Sequence, residues 1–214
     1  MSALERLYPM IRLYLDDQSA RLSKIAEPHR QPVAELTRWI ASRANKPTEV
    51  IFVCTGNSRR SVLGATMGNV VAAYRGNSRL RFYSAGTTPS AFNSRTMATL
   101  REIGVVIEAT GSQAKRGAKQ ELNPHYRVQW GSPVSSLMVE YSKTLEDVAL
   151  PHRDFAAVMV CDEADASCPT VLGAALRLSM TFQDPKAHDG SKDEALQYAK
   201  TRDLLAQTML QVIP

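Results

Sequence analysis

One stretch of the chain is built for chemistry: Cys54-Thr55-Gly56-Asn57-Ser58-Arg59-Arg60-Ser61. A cysteine beside a guanidinium and at the start of a helix is favoured as the thiolate, the nucleophilic form. The planar fork of Arg60 matches two oxygens of a tetrahedral oxyanion. Gly56 permits the backbone angles of a tight turn. Asn57 tolerates a left-handed conformation and can tie the loop through its side chain. The successive backbone N–H groups of Thr55, Ser58 and their neighbours would form a bowl for an anion. The Ser61 hydroxyl could donate to the thiolate, and Arg59 either adds positive potential at the mouth or faces solvent. The chemistry expected is attack by Cys54 on phosphate or arsenate. The plain alternative is a buried cysteine followed by a surface arginine, and the flanking elements argue against it.

Such a loop needs a buried strand before it and a helix after it. Val50-Ile51-Phe52-Val53 is a short apolar, β-branched run of the kind found in a parallel strand. Residues 61–74 can form a helix. In an open α/β sheet the ligand sits at the carboxyl ends of the strands, which is where Cys54 falls. A second strand at Leu80-Arg81-Phe82-Tyr83 runs into Ser84-Ala85-Gly86, and a helix over about residues 93–103 turns Leu100 and Ile103 inward. Val105-Val106-Ile107 is a short extended piece, and residues 110–124 are polar and irregular. Val128-Gln129-Trp130 and Leu137-Met138-Val139 flank Gly131-Ser132-Pro133 as an inserted hairpin. Further strands are expected at residues 155–160 and 176–180. A closing helix over 193–212 has Ala195, Tyr198, Leu204 and Met209 available for burial. Strands alternating with helices predict an α/β fold, a doubly wound open parallel sheet.

Residues 1–47 read differently. Leu4, Leu7, Tyr8, Ile11, Tyr14 and Leu15 recur at helical spacing, with Pro9 bending or splitting the segment. A second helix opens near Pro28 and gathers Val33, Leu36, Trp39 and Ile40 on one face. Lys46-Pro47-Thr48 marks a boundary. The expected organisation is a helical extension over 1–47 and the main domain over 48–214. The extension either packs on that domain or makes a homo-oligomer with a second copy.

Two other cysteines stand out. Cys161 ends the strand over 155–160, so its sulfur should reach the same sheet edge as Cys54. Cys168 follows across Asp162-Glu163-Ala164-Asp165-Ala166-Ser167, whose small, acidic composition reads as a mobile loop.

Residues 53–61, Val-Cys-Thr-Gly-Asn-Ser-Arg-Arg-Ser, resemble the phosphate loop of the low-molecular-weight protein tyrosine phosphatases, and more closely that of the thioredoxin-coupled arsenate reductases sharing their fold. Ser84-Ala85-Gly86 fits the same pattern, and the resemblance spans roughly residues 49–212. It implies Cys54 as nucleophile and Arg60 as oxyanion-binding arginine. It also implies Asp184, in Thr181-Phe182-Gln183-Asp184-Pro185, as the general acid, with Asp189 the nearest rival. In the arsenate reductases a cysteine pair spaced like Cys161 and Cys168, with a proline after the second, relays oxidising equivalents. The resemblance therefore implies a Cys54/Cys161/Cys168 thiol relay recharged by a thioredoxin-like dithiol protein. The alternative is a phosphatase acting on phosphotyrosine or a small phosphomonoester through a Cys54 phosphoenzyme. A third reading is an oxyanion-binding or redox-sensing module without turnover. Some residues depart from the pattern. Arg59 stands where many relatives carry a second cysteine, and Lys186 replaces the aromatic pair typical of the tyrosine phosphatases. Tyr126, Trp130 and Tyr141 in the 110–150 insertion could cover the site or serve packing.

The bulk properties set the frame. The chain has 214 residues and a net charge of +5, a mild excess that suits an anionic substrate. No basic run is interleaved with aromatics, so nucleic acid is not an expected partner. No long apolar run or signal-peptide pattern is present, and a cytoplasmic setting is expected. Three cysteines, an odd number, do not make a disulfide framework. His29, His125, His152 and His188 lack metal-ligand spacing, so neither a metal nor a bound cofactor is expected beyond the external reductant.

Overall fold

The computed structural model describes residues 7–22, 24–43, 46–132 and 136–213. Strand β1 (Thr48–Cys54) pairs in parallel with β2 (Leu80–Gly86) on one side and β6 (Phe155–Met159) on the other. β6 pairs in parallel with β7 (Ala174–Ser179), so the sheet order is β2-β1-β6-β7. Helix α3 (Arg60–Tyr74) carries the chain from β1 to β2, and α5 (Asp162–Ser167) carries it from β6 to β7. The two crossovers leave β1 and β6 in opposite directions across the sheet. The carboxyl ends of these two strands therefore flank the switch point where open α/β sheets bind ligands. Residues 50–53 and the whole of β6 are buried, as the apolar runs require.

Helix α3 is apolar on nearly every side because it is buried on nearly every side. Its glycines allow it to lie directly on two rings. A Cβ at Gly64 would meet Phe52 at 2.8 Å, and one at Gly68 would meet Phe82 at 2.4 Å. Helix α4 (Ser94–Glu102) is capped by Asn93, whose side chain accepts from the Arg95 and Thr96 amides.

The insertion forms a second sheet. β3 (Val106–Gln113), β4 (Pro124–Gln129) and β5 (Leu137–Glu140) are antiparallel in that order. The β4–β5 hairpin was anticipated, although Pro133 lies outside the described residues. The third strand was not anticipated. The piece expected at 105–107 extends to Gln113, because it finds Pro124 and the residues after it as an edge to pair with.

Helices α1 (Pro9–Ala20) and α2 (Glu27–Ala41) pack against α6 (Glu194–Val212), with α1 also touching α3 and α2 touching β7. Ile11, Leu15 and Leu36 are fully buried in one core with β1, β6 and α3. At about 1.5–3 kcal/mol for each such side chain, the two helices are firmly fastened to the sheet domain. Leu4 lies outside the described residues. Pro9 neither bends nor splits a helix: it is the first helical residue, where its missing N–H costs nothing. In α6 the expected inward face is partly wrong. Tyr198 and Met209 are buried, but Leu204 is 43% exposed and Ala195 is exposed; Leu205, Ala206 and Leu210 are buried instead.

Candidate active site

The loop after β1 is held from outside so that its inside is left free. The segment following β2 straps beneath it. Thr87 N–H donates to Cys54 O at 3.1 Å, Thr88 N–H to Thr55 O at 2.8 Å, and Ser90 N–H to Gly56 O at 2.9 Å. Ser142 Oγ donates to Asn57 O, and Asn93 N–H to Ser58 O. The carbonyls are thus all engaged outward. Among the described residues, the backbone N–H groups of residues 55–59 find no backbone acceptor, which makes the bowl an anion seat at the start of α3. Asn57 takes the left-handed conformation expected of it, at φ 43°. Gly86 sits where no side chain would fit, since a Cβ there would meet Thr55 O at 2.6 Å and the Asn57 nitrogen at 2.7 Å.

Cys54, Arg60 and Asp184 line one cavity of about 460 Å³. Cys54 Sγ lies 3.0 Å from Ser61 Oγ. Arg60 is buried and aimed by two partners, donating to Phe182 O at 3.0 Å and to Asp184 Oδ2 at 2.7 Å. Asp184 Oδ1 accepts from Lys186 N–H, because Asp184 caps a short 3₁₀ turn begun by Pro185. The Asp-Pro pair therefore does what a cap and a first-turn proline do, and in doing so holds a carboxylate over the bowl. Thr55, Gly56 and Ser58 line the same cavity, while Asn57 and Ser61 lie behind it, buried.

Arg59 also lines this cavity and does not simply face solvent. Its Nε donates to Tyr198 Oη at 2.6 Å and its Nη2 to Asp189 Oδ2 at 2.9 Å, so its guanidinium is anchored to α6 and the loop before it. Burial pushes the Tyr198 hydroxyl up to about 12, and it donates to Asp189 Oδ1 at 2.8 Å. Burial alone would raise the Asp189 carboxyl, but Tyr198, Arg59 and Arg95 outweigh it and hold it low. Asp189, the rival acid, is tied into this group and does not line the cavity.

Cys161 is fully buried one residue beyond the apolar run that ends β6. Its Sγ is 3.5 Å from Thr55 Oγ1, which sets it beside the neighbour of Cys54. Burial pushes the Cys161 thiol up, with the Thr55 hydrogen bond pulling the other way. Cys168 is half-buried at the opposite end of α5, and all three cysteines are free thiols. The segment between them corrects the reading of a mobile loop: it is the helix α5, with Cys161 and Cys168 as its flanking residues. Asp162, Glu163 and Asp165 crowd its first turn, where carboxylates favour a helix. That acidic cluster was the available signal.

Other residues at the site were not assigned to it beforehand. Lys119, Glu121 and Glu163 join Lys186 in lining the cavity, and none of its described lining residues is aromatic. Tyr126, Trp130 and Tyr141 do not reach it. Trp130 is a core residue, Tyr126 packs edge-on against Phe92, and Tyr141 donates to Asp147. No group of three or more His, Cys, Asp or Glu able to hold a metal occurs among the described residues. No described helix is long and apolar enough to cross a membrane.

Comparison with known proteins finds a family model that spans the loop. Residues 49–124 match the family model described as low molecular weight phosphotyrosine protein phosphatase. No curated protein matches the chain. Among solved structures, the chain is similar to a low molecular weight protein tyrosine phosphatase from T. tengcongensis, with 17% identity, 78% of this chain and 97% of that one covered, and TM-score 0.49. It is also similar to an arsenate reductase in the phosphate-binding state, at 16% identity, 78% and 96% coverage, and TM-score 0.47. A thioredoxin-dependent arsenate reductase from Corynebacterium glutamicum covers 91% of this chain and 81% of its own, at 16% identity and TM-score 0.41. Asp184, Cys161 and Cys168 lie beyond the matched segment. Residues 49–124, which hold Cys54 and Arg60, are the part of the chain that matches this family model.

Proposed function

We propose that the protein is an arsenate reductase working through a relay of Cys54, Cys161 and Cys168 in a cytoplasmic setting. The observation that carries this reading is the place of Cys161, a second thiol buried against Thr55 at the rim of the nucleophile's loop. In the first step the Cys54 thiolate bonds to arsenic and a hydroxyl leaves as water, protonated by Asp184. Arg60 and the loop amides hold the remaining oxygens. Cys161, as thiolate, then attacks the Cys54 sulfur. The sulfur–arsenic bond breaks with its electron pair going to arsenic, which departs as arsenite, and a Cys54–Cys161 disulfide remains. Cys168 attacks Cys161, frees Cys54, and leaves a Cys161–Cys168 disulfide for a thioredoxin-like dithiol protein to reduce. At about 1.5 Å rise per residue, the seven steps across the six-residue helix separate the two cysteines by about 10 Å, beyond the span of about 7 Å that a disulfide tolerates. The last step therefore requires α5 to open.

A phosphatase is the second reading, favoured by the complete burial of Cys161 and by the folded state of α5. Water then resolves the Cys54 adduct with Asp184 as base. The absence of aromatic side chains among the cavity's described lining residues fits a small or hydrophilic phosphomonoester better than phosphotyrosine. The deciding experiment incubates the reduced protein with arsenate and no external thiol, then counts free thiols and arsenite. Two thiols lost per arsenite, abolished by Cys161→Ser and arrested at Cys54–Cys161 by Cys168→Ser, support the relay. Unchanged thiols with Cys54-dependent hydrolysis of an aryl phosphate leave the phosphatase.

A further inference from the structure

Asp184 is aimed by a partner that the substrate also needs. Its Oδ2 accepts from Arg60 Nη2 at 2.7 Å. An oxyanion seated in the bowl takes the same guanidinium fork. The carboxylate is not fixed by burial either, since its side chain is 35% exposed. Once an oxyanion has entered, the place of the carboxyl depends on the backbone that leads into it.

That backbone is residues 180–183. Met180 N–H donates to Met159 O at 2.9 Å and Phe182 N–H to Val160 O at 3.1 Å, so the segment runs along the end of β6. Between them the Thr181 carbonyl lies 2.7 Å from His29 Nε2. A carbonyl only accepts, so Nε2 carries the hydrogen and donates. The His29 ring also rests on that of Phe182, with centroids 4.6 Å apart and planes tilted by 47°. Both side chains are buried. His29 stands in the first turn of α2, and α2 packs on α6 and β7, so its donor rides on a helix fastened to the core. An apolar side chain could fill the same space beside Phe182. What histidine adds is a hydrogen bond to the residue three before the acid.

We infer that His29 is a positioning residue for Asp184: through Thr181 and Phe182 it holds the acid's segment in place when an oxyanion has taken Arg60. The inference rests on Asp184 acting as the acid at Cys54, and it holds whether a thiol or water resolves the adduct. In the step concerned, the bond from Cys54 Sγ to phosphorus forms, the ester P–O bond breaks, and the Asp184 proton goes to the departing oxygen.

Two substitutions in the full chain separate the donor from the ring. His29→Phe keeps an aromatic ring on Phe182 and removes the donor. His29→Gln keeps a donor at Nε2 and removes the ring. Release of phenol from phenyl phosphate, and of p-nitrophenol from p-nitrophenyl phosphate, is followed in a single turnover with protein in excess. This reads only formation of the Cys54 adduct. Phenol is the poorer leaving group and needs the proton more. His29→Phe should release phenol about three- to tenfold more slowly, the factor one hydrogen bond carries. It should release p-nitrophenol within about twofold of the wild-type rate. The inhibition constant of inorganic phosphate should also stay within about twofold, because the loop amides and Arg60 itself are unchanged. His29→Gln should recover most of the loss. In an Asp184→Asn background His29→Phe should add nothing, since no proton is left to position. Equal losses on both esters, losses that multiply in the double variant, or a His29→Gln protein as slow as His29→Phe overturn the inference, as does wild-type phenol release in His29→Phe. Should His29→Phe not fold, His29→Ala removes the donor without filling its space and is held to the same outcomes. Failure of the functional reading looks different: the wild type would release no phenol, or Asp184→Asn alone would release it at the wild-type rate, and the inference would fall with it.

Discussion

Arg177 on β7 is the clasp that keeps α5 closed. Its Nε donates to Cys168 O at 2.9 Å, and its Nη2 to Asp165 O at 2.8 Å and to the Asp165 carboxylate at 2.5 Å. Arg177→Met keeps the aliphatic stem and removes all three bonds. Hydrogen bonds from a charged donor are worth about 1.5–3 kcal/mol when well buried. Here the Arg177 and Asp165 side chains are 24% and 30% exposed, which screens the ion pair. Discounted for that screening, the clasp favours the closed helix by about 1–2 kcal/mol, a factor of about 5–30 in the open population. If α5 opens before Cys168 attacks, the Cys161–Cys168 disulfide should form about 5–30 times faster in Arg177→Met. The assay starts a single turnover with arsenate, quenches with acid at intervals, alkylates the free thiols and maps the disulfides by mass spectrometry. Ser179→Ala removes only the 2.8 Å bond from Ser179 Oγ to Asp165 Oδ2 and should give a smaller acceleration. An unchanged or slower second exchange in a folded Arg177→Met protein would refute the coupling between helix opening and the relay.

Asp184→Asn should lower turnover by about 10²–10⁴-fold, the usual contribution of a general acid. Calorimetry should show phosphate bound at least as well as before, because Arg60 no longer has a carboxylate competing for it. Gly86→Ala drives a methyl into Thr55 O and the Asn57 nitrogen, so phosphate binding should be lost even where circular dichroism shows a retained fold. Cys161 carries a pH signature. Burial raises its thiol, so the fold favours the protonated form. The associated stability is complete below the ordinary cysteine value of about 8.5 and is lost as pH rises through the raised one. Thermal melts should show wild type losing more stability than Cys161→Ala over that alkaline range, and equal losses would contradict the assignment.

The legible parts of the site were those whose logic is local. The strand, the turn residues and the helix that fix residues 54–61 follow one another in the chain, so spacing alone places Cys54 and Arg60 in one bowl. Asp184 reached the same cavity only through the family resemblance, because an Asp-Pro pair by itself specifies no more than a turn. The anchoring of Arg59 was not legible because its partners, Tyr198 and Asp189, lie more than a hundred residues away. Glu140 and Lys143 were invisible for the same reason: the contact of Lys143 with Asn57 and that of Glu140 with Ser84 exist only once β5 has found its register. Helix α5 was missed because six residues carry too few turns for periodicity to show, although their acidic start was a fair sign. In α6 the helical period was read correctly but its phase was not, since α1, α2, α3 and α4 all claim part of its surface.

The loop that carries Asp184 is gripped from two sides. Arg60 holds the Phe182 carbonyl from within the site, and His29 Nε2 of α2 lies 2.7 Å from the Thr181 carbonyl with its ring 4.6 Å from that of Phe182. For anyone moving this chemistry onto another scaffold, the transferable unit is therefore larger than the segment bearing the nucleophile. A graft of β1, its loop and α3 would carry Cys54 and its arginine. It would leave behind the splint that keeps the carboxylate overhead, and that splint belongs to the helices in front of the sheet.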